Sequence, residues 1–479
     1  MLRGRVEPQA AFDLVTTLAV VGAVIVMAAL LSGVVDRSGL PQVALFLALG
    51  AALGPAGVAA LEVGLDSQAL RVIATLSLAL ILFTDALSLD LREAREHRTL
   101  ALLALGPGTL LSAALYAALG FWLLDLAPAA AAILGAAVAS TDPVLLKGLL
   151  RRRDLPAAAR HALRLESGLN DVVLLPIVLV AMAFLGSGLP SGDGGFARLA
   201  LELFLLGPGA GVAVGLLALG ALELARRRIG VRRDYESLYS LGVAFAAYAA
   251  AESVHGSGFL AAFAAGLTIA AFDVELCECF REYGETTAEL ALLLTFVLLG
   301  SSLIWTGVGS ADLASALFAA LVLVGRPLVY YLALAGSAVD RRSRRLVAWF
   351  GPRGLSALLL VLLPVFAGTP GSEALFRVTC LVVLLSVLLH GGALAWMGWR
   401  SGHEPESGAA DSDLIRLDEL RALRDADAKL LVGDVRSESA WRESAEQAQG
   451  ALRLSPERPA EHAGVLGLPP DAWLVLYCT

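Results

Sequence analysis

Lysine is nearly missing from this chain: among 36 basic residues only Lys147 and Lys429 are lysines. Charge of either sign is scarce too, 17% of 479 residues, while 57% are hydrophobic and the mean hydropathy is +0.74. That scarcity excludes a soluble domain and points to a multi-span membrane protein. The formal net charge of -8 is unevenly spread, and no nucleic-acid partner is expected. Four cysteines (Cys277, Cys279, Cys380, Cys478) make no disulfide framework. Cys277-Glu278-Cys279 lacks the spacing of a zinc pair and has no second pair, so it reads as a helix-end feature. No small-residue cleavage site closes the first apolar run after Arg3 and Arg5, so that run reads as a span and not a removed signal peptide. Ala, Gly, Leu and Val dominate instead, and small residues let helices approach closely in lipid.

Apolar runs of about 20 residues recur between positions 13 and 399. The expected spans are 13–35, 40–60, 69–90, 99–124, 128–150, 165–188, 198–225, 237–253, 256–273, 287–308, 312–338, 345–368 and 373–399, thirteen in all. Loops after odd-numbered spans carry the arginines: Arg92, Arg95 and Arg98; Arg151 to Arg153, Arg160 and Arg164; Arg226 to Arg228, Arg232 and Arg233; Arg341, Arg342, Arg344 and Arg345. The positive-inside rule then puts the N-terminus outside and the C-terminal tail in the cytoplasm of a bacterial inner membrane. Arg3, Arg5 and the acidic 274–286 loop run against that assignment.

Polar residues inside these runs are the candidate site. Ser140-Thr141-Asp142-Pro143 interrupts the fifth span, and Glu166-Ser167-Gly168-Leu169-Asn170-Asp171 opens the sixth. A charge at mid-membrane costs roughly 2.5–3.5 kcal/mol, so carboxylates there mark an ion or proton path. Pro143 deprives the carbonyl of residue 139 of its helical donor. Unwound backbone at that depth survives only against protein or a wet cavity. A simple proline kink satisfied by Ser140 and Thr141 accounts for those two hydroxyls but not for Asp142. Glu166 and Asn170, like Ser167 and Asp171, stand four apart and form adjacent stripes on one helix. Ser167 and Asp171 complete a site with Asp142, and Glu166 needs a proton or a cationic partner. Arg353, in Gly351-Pro352-Arg353-Gly354-Leu355-Ser356, is its natural counter-ion; pairing of Glu166 with Arg164 and snorkelling of Arg353 toward Arg344 and Arg345 are the alternatives. Breaks at matching places in two halves of a transporter point to inverted repeats around a midplane site. Asp85 lines the path near the end of span three. Arg326 before Pro327 reads as structural, His255 as a loop or packing residue, and His390 as interfacial.

These residues resemble the cation:proton antiporters of the sodium/proton exchanger superfamily, on its electroneutral branch, over about residues 13–399. The likeness rests on Pro41 to Gly54, Leu82 to Asp90, Ser-Thr-Asp-Pro at 140–143, Glu166 to Asp171, His255 to Gly266 and Gly351 to Ser356. It implies an all-α polytopic protein with a dimerisation domain and a core domain of two crossed, unwound helices. It also implies that Asp171 and Asp142 bind cation or proton with help from Thr141 and Ser167, and that Glu166 and Arg353 form a structural ion pair bridged by Asn170. Asn170 before Asp171 marks the branch that exchanges without net charge. Well-studied relatives often carry an acid directly after the Phe of span three, where this chain has Thr84 and then Asp85.

After a polar linker at 401–412, residues 413–479 read as a small α/β piece: a helix over Leu414 to Arg424, a strand within Ala428 to Arg436, and another within Trp473 to Cys478. The piece resembles the first part of a rhodanese domain, with Asp434-Val435-Arg436, Gly450-Ala451, Leu454-Ser455-Pro456 and Leu476-Tyr477-Cys478 as landmarks. Cys478 falls at that family's sulfur-carrying position, but its anion-cradling loop does not follow within the chain, so sulfurtransferase activity is not expected. The expected activity is exchange of protons for Na+ (or K+ or Li+) by alternating access in a homodimer within the bilayer, without a catalytic residue or cofactor. A channel or symporter on the same scaffold and a membrane-anchored rhodanese-type sulfur/redox sensor or enzyme are the rival readings.

Overall fold

In the computed structural model, proline and glycine decide where helices stop or widen. The structure describes residues 42–89, 98–150, 155–186, 195–228, 233–272, 278–337 and 339–401, a few positions between 22 and 30, and in the tail chiefly 430–436, 447–454 without 449, and 473–477. The helices are α1 (Gln42–Leu53), α2 (Gln68–Leu87), α3 (Arg98–Leu123), α4 (Pro128–Ala139), α5 (Pro143–Leu150), α6 (Ala157–Gly186), α7 (Gly207–Arg228), α8 (Arg233–Ser253), α9 (Gly258–Ala271), α10 (Glu278–Ser301), α11 (Leu313–Ala333), α12 (Arg341–Trp349), α13 (Leu355–Phe366) and α14 (Ser372–Ser401). Helix starts carry the residues that satisfy orphan N–H groups: Ser67 accepts from Leu70 N, Ser257 from Leu260 N, and Asp312 forms a reciprocal capping box with Ser315. Pro107 sits inside a π-helical turn of α3 (Ala104–Leu110), and Glu202–Leu206 forms another just before Gly207-Pro208. A residue without an N–H breaks the α register, and the wider turn absorbs it.

Eight described helices, by length and composition, can cross a membrane, and Gln42–Leu53, Gly258–Ala271 and Leu355–Phe366 are shorter apolar helices. Twelve of the thirteen expected spans overlie described helices, two of them as broken pairs, α4/α5 and α12/α13. Span 13–35, the Leu414–Arg424 helix and Cys478 fall wholly or mostly outside the described residues. Helix contacts divide the membrane region into two groups. One gathers α1, α2, α7, α8, α9 and α10; the other gathers α3, α4, α6, α11, α12, α13 and α14. They meet where α2 packs on α6 and α13. The second group repeats one element order, long helix, broken helix, long helix.

Small residues set the spacing in the first group. Gly207, Gly211 and Gly215, one per turn of α7, lie against Ser257, Ala261 and Ala265 leading into and along α9, so near that a Cβ at Gly211 would overlap the Ala261 backbone. With no hydrophobic drive between helices in lipid, such close packing holds them together. Gly211→Val is therefore expected to lower stability by about 1–3 kcal/mol. Thermal unfolding in detergent checks this, with Gly209→Val, which meets open space, as the control that stays near wild type.

Contacts separate Met1–Glu404 from Pro405–Thr479. The second unit holds a parallel sheet, order β2-β1-β3, of β1 (Leu430–Asp434), β2 (Leu452–Arg453) and β3 (Trp473–Tyr477). Asp434 at the end of β1 is buried, bonded by the Arg436 guanidinium (Nη2–Oδ2 2.6 Å) and by the Tyr477 hydroxyl (2.9 Å). The Arg436 hydrogen bond, with the backbone N–H of Arg436 and the Tyr477 hydroxyl, holds the Asp434 carboxyl down at about 2. Because this folded-state value lies below the ordinary aspartate value of about 3.9, the pair stabilises the tail above that pH and loses its effect as pH falls toward 2.

Candidate functional site

The two broken helices meet at their breaks. Asp142 N donates to the Pro352 carbonyl (2.9 Å), so the unwound backbones touch directly. Four helix ends point into this crossing, and a polar side chain answers each. Asp142 accepts from Val144 N at the start of α5 (2.9 Å) and from Leu355 N at the start of α13 (2.7 Å). One carboxylate thus caps both N-termini, where the helix dipoles favour negative charge. At the other two ends, Arg353 donates to the carbonyls of Ala139 (2.5 Å) and Ser140 (3.1 Å) closing α4, while Arg326 reaches Val347 O (3.3 Å) and Phe350 O (3.4 Å) closing α12. The carbonyl that Pro143 orphans is therefore the one Arg353 takes up. Two glycines permit the crowding: a Cβ at Gly354 would overlap the Asp142 carboxylate, and one at Gly351 would overlap the Arg326 guanidinium.

Asp171, on α6, is 3% exposed and accepts the Ser140 hydroxyl (2.5 Å), with Ser356 of α13 beside it. No salt bridge to Asp171 occurs among the described residues. Thr141 donates to Glu166 Oε1 (2.8 Å) and accepts from Asn170 Nδ2 (2.5 Å), so Asn170 is tied to Glu166 through the Thr141 hydroxyl. Ser167 donates to the Arg164 carbonyl one turn back (3.5 Å), and the hydroxyl on Asp171 is that of Ser140. Asp85, half-buried on α2, has Asp171, Glu285, Asp142 and Lys147 among its charged surroundings. Thr84 next to it turns its hydroxyl onto Leu80 O (2.9 Å) in its own helix.

The partner of Glu166 is not Arg353. Arg326 grips it with both terminal nitrogens, Nη1–Oε1 3.1 Å and Nη2–Oε2 2.9 Å, with Glu166 fully buried and Arg326 2% exposed. Arg353 is occupied by the end of α4 and by the Tyr116 hydroxyl (3.2 Å). Arg164 does not pair with Glu166 either. The Tyr330 hydroxyl adds a further donor to Glu166 (3.0 Å) and pairs with Thr109 in the π turn of α3 (3.0 Å). His390 is likewise buried, not interfacial, with Nε2 3.2 Å from the Trp349 carbonyl. His255 has φ 61° in the exposed α8–α9 turn, away from these groups.

Ser356, Tyr116, Tyr330 and Ser386 were not among the expected site residues. Ser356 lies inside the second break motif, and Arg326/Tyr330 and Ser386/His390 each stand one helical turn apart, a spacing that places both members on one face.

The family model for the transmembrane sodium/hydrogen exchanger matches residues 23–400. A protein named K(+)/H(+) antiporter NhaP2, from Shewanella sp. (strain MR-4), is 27% identical over 390 residues, 80% of this chain and 66% of the relative. The chain thus spans just under two thirds of that relative's length. A K(+)/H(+) antiporter NhaP from Alkalimonas amylolytica is 23% identical over 404 residues, 83% of this chain and 69% of that protein. Among solved structures, the sodium proton antiporter MjNhaP1 from Methanocaldococcus jannaschii has a similar fold, with a TM-score of 0.65 at 20% identity over 79% of this chain and 100% of that one. The chain belongs to the transmembrane sodium/hydrogen exchanger family.

Proposed function

We propose that this protein exchanges protons for a monovalent alkali cation, Na+ first and K+ or Li+ next, by alternating access. One observation carries the reading: among the described residues Asp171 is a buried carboxylate with a hydroxyl partner and no salt bridge, while the neighbouring carboxylate, Glu166, has a fixed arginine. A buried charge without a partner is costly, so such a group takes up either a proton or a cation. The two compete for the same oxygens. Asp142 joins the site as a second carboxylate whose charge is stabilised by the two helix N-termini. Thr141 and Ser167 supply further oxygens to a dehydrated ion, and Ser140 positions Asp171. With Glu166 neutralised by Arg326 and Asn170 uncharged, one proton leaves for each cation bound, and no net charge moves. Asp85 gathers cations on the way in. The α3–α6 and α11–α14 units, as inverted repeats, rock against the other helix group, with arginine-rich loops and tail on the cytoplasmic side and two chains forming the dimer. The tail's parallel sheet is consistent with a rhodanese-like regulatory piece.

The test is cation-evoked proton flux in proteoliposomes under an imposed pH gradient with voltage clamped, adding Na+, K+ and Li+ in turn. Wild type is expected to respond, and Asp171→Asn to lose at least about a hundredfold in rate. A mutant that exchanges like wild type would overturn the assignment to Asp171, and a conductance without proton coupling would favour a channel.

A further inference from the structure

The first break is held by a pair of α6 side chains four residues apart. Glu166 and Asn170 both hydrogen-bond Thr141. The second break has a pair of its own on α14, the third helix of the second unit. Arg353 N donates to Ser386 Oγ (2.7 Å). Ser386 Oγ is 3.2 Å from His390 Nδ1, and His390 Nε2 is 3.2 Å from the Trp349 carbonyl. The Arg353 N–H can only donate and the Trp349 carbonyl can only accept, which fixes the direction at both ends of the chain. His390 Nε2 carries a proton and donates it to Trp349. The Ser386 hydroxyl accepts from Arg353 and, with His390 neutral, donates to Nδ1, which also lies 3.1 Å from the Ser386 carbonyl. Ser386 is fully buried, His390 is 4% exposed and Arg353 1%. Water is therefore a poor substitute, and each lost partner strands a buried backbone group.

We infer that Ser386 and His390 are positioning residues for the exchange site: they clamp residues 349–353 to α14, and so fix the guanidinium of Arg353 on α4 and Leu355 N on Asp142. Neither touches the cation. Their role parallels that of Glu166 and Asn170 in the first unit, although the second pair carries no carboxylate and binds backbone instead of side chain. The inference rests on the exchange reading above but adds residues that reading does not use. Loss of the clamp lets the 351–354 backbone shift relative to Asp142, which weakens the site without removing any ligand.

The test uses the full chain in proteoliposomes and in detergent, with Ser386→Ala, His390→Ala, Ser386→Ala/His390→Ala and His390→Gln. Each alanine variant is expected to raise the apparent KM for Na+ (or the cation found active) about tenfold, and to shift the pH of half-maximal exchange because the proton then competes with a weaker cation site. The double variant should do no worse than the poorer single one, since both remove one connected chain. Gln, whose amide donates to Trp349, should restore most of the KM. Amide hydrogen exchange over residues 349–355 should quicken in both alanine variants. Variants that lose only protein yield or thermal stability, with KM and pH profile unmoved, would overturn the positioning role, as would unchanged amide exchange. If the wild type exchanges no cation, the transport reading itself fails, and amide exchange alone decides whether the pair clamps the break.

Discussion

Arg326→Ala is expected to be among the most damaging single substitutions in this chain, costing about 3–5 kcal/mol because it leaves the Glu166 carboxylate buried without its cation. Glu166 is fully buried, and among the described residues the hydroxyls of Thr141 and Tyr330 would remain to it. The same change frees Val347 O and Phe350 O at the end of α12. Arg353→Ala should cost less, about 1–3 kcal/mol, since it strips hydrogen bonds from α4 carbonyls and Tyr116 without stranding a charge on Glu166. Thermal unfolding of purified protein in detergent separates the two. The sharper arm is the double variant Glu166→Gln/Arg326→Gln, which removes the unpaired charge and should recover stability relative to Arg326→Ala. If Glu166→Gln instead rescues Arg353→Ala and does nothing for an Arg326 variant, the pairing described here is wrong.

Gly354→Ala is expected to reduce exchange at least about a hundredfold while leaving the protein inserted in the membrane. A glycine-to-alanine change at an ordinary position is mildly stabilising. Here the φ of -144° lies outside the left-handed region, so the conflict is contact and not backbone strain. The added methyl would overlap the Asp142 carboxylate, which already caps α5 and α13. Asp142 must swing away, and both helix N-termini lose their shared acceptor. Gly168→Ala, at a position that meets open space on α6, is the matched control. Equal exchange rates for the two variants in proteoliposomes would show that the crossing is looser than its geometry implies.

The breaks were readable from sequence because proline and glycine act locally: Pro143 removes one donor and Gly351-Pro352-Arg353-Gly354 interrupts an apolar run, and both places are unwound in the structure. The carboxylates inside those runs were readable for the same reason, since charge in an apolar segment stands out. Partners across helices were not. Arg326 and Arg353 are chemically alike, each sits beside helix breakers, and nothing along the chain says which guanidinium faces Glu166. That is fixed by the crossing, which points Arg353 at the carbonyl freed by Pro143 and leaves Arg326 for the carboxylate. His390 shows the same limit. Its place toward the end of an apolar run suggested an interface, but α14 extends to Ser401 and turns that histidine onto the end of α12. The hydroxyl on Asp171 is that of Ser140, which arrives from another helix, whereas the Ser167 hydroxyl turns onto the Arg164 carbonyl of its own helix.

The most direct test of the central claim, that one carboxylate serves proton and cation in turn, is proton release on cation binding. Purified protein in weakly buffered detergent near neutral pH would receive Na+, K+ or Li+ while pH is recorded, beside Asp171→Asn. The account predicts release of about one proton per chain with the exchanged cation, saturating with its affinity and absent in Asp171→Asn. Saturable cation binding with no proton released, or the same release from Asp171→Asn, would contradict it.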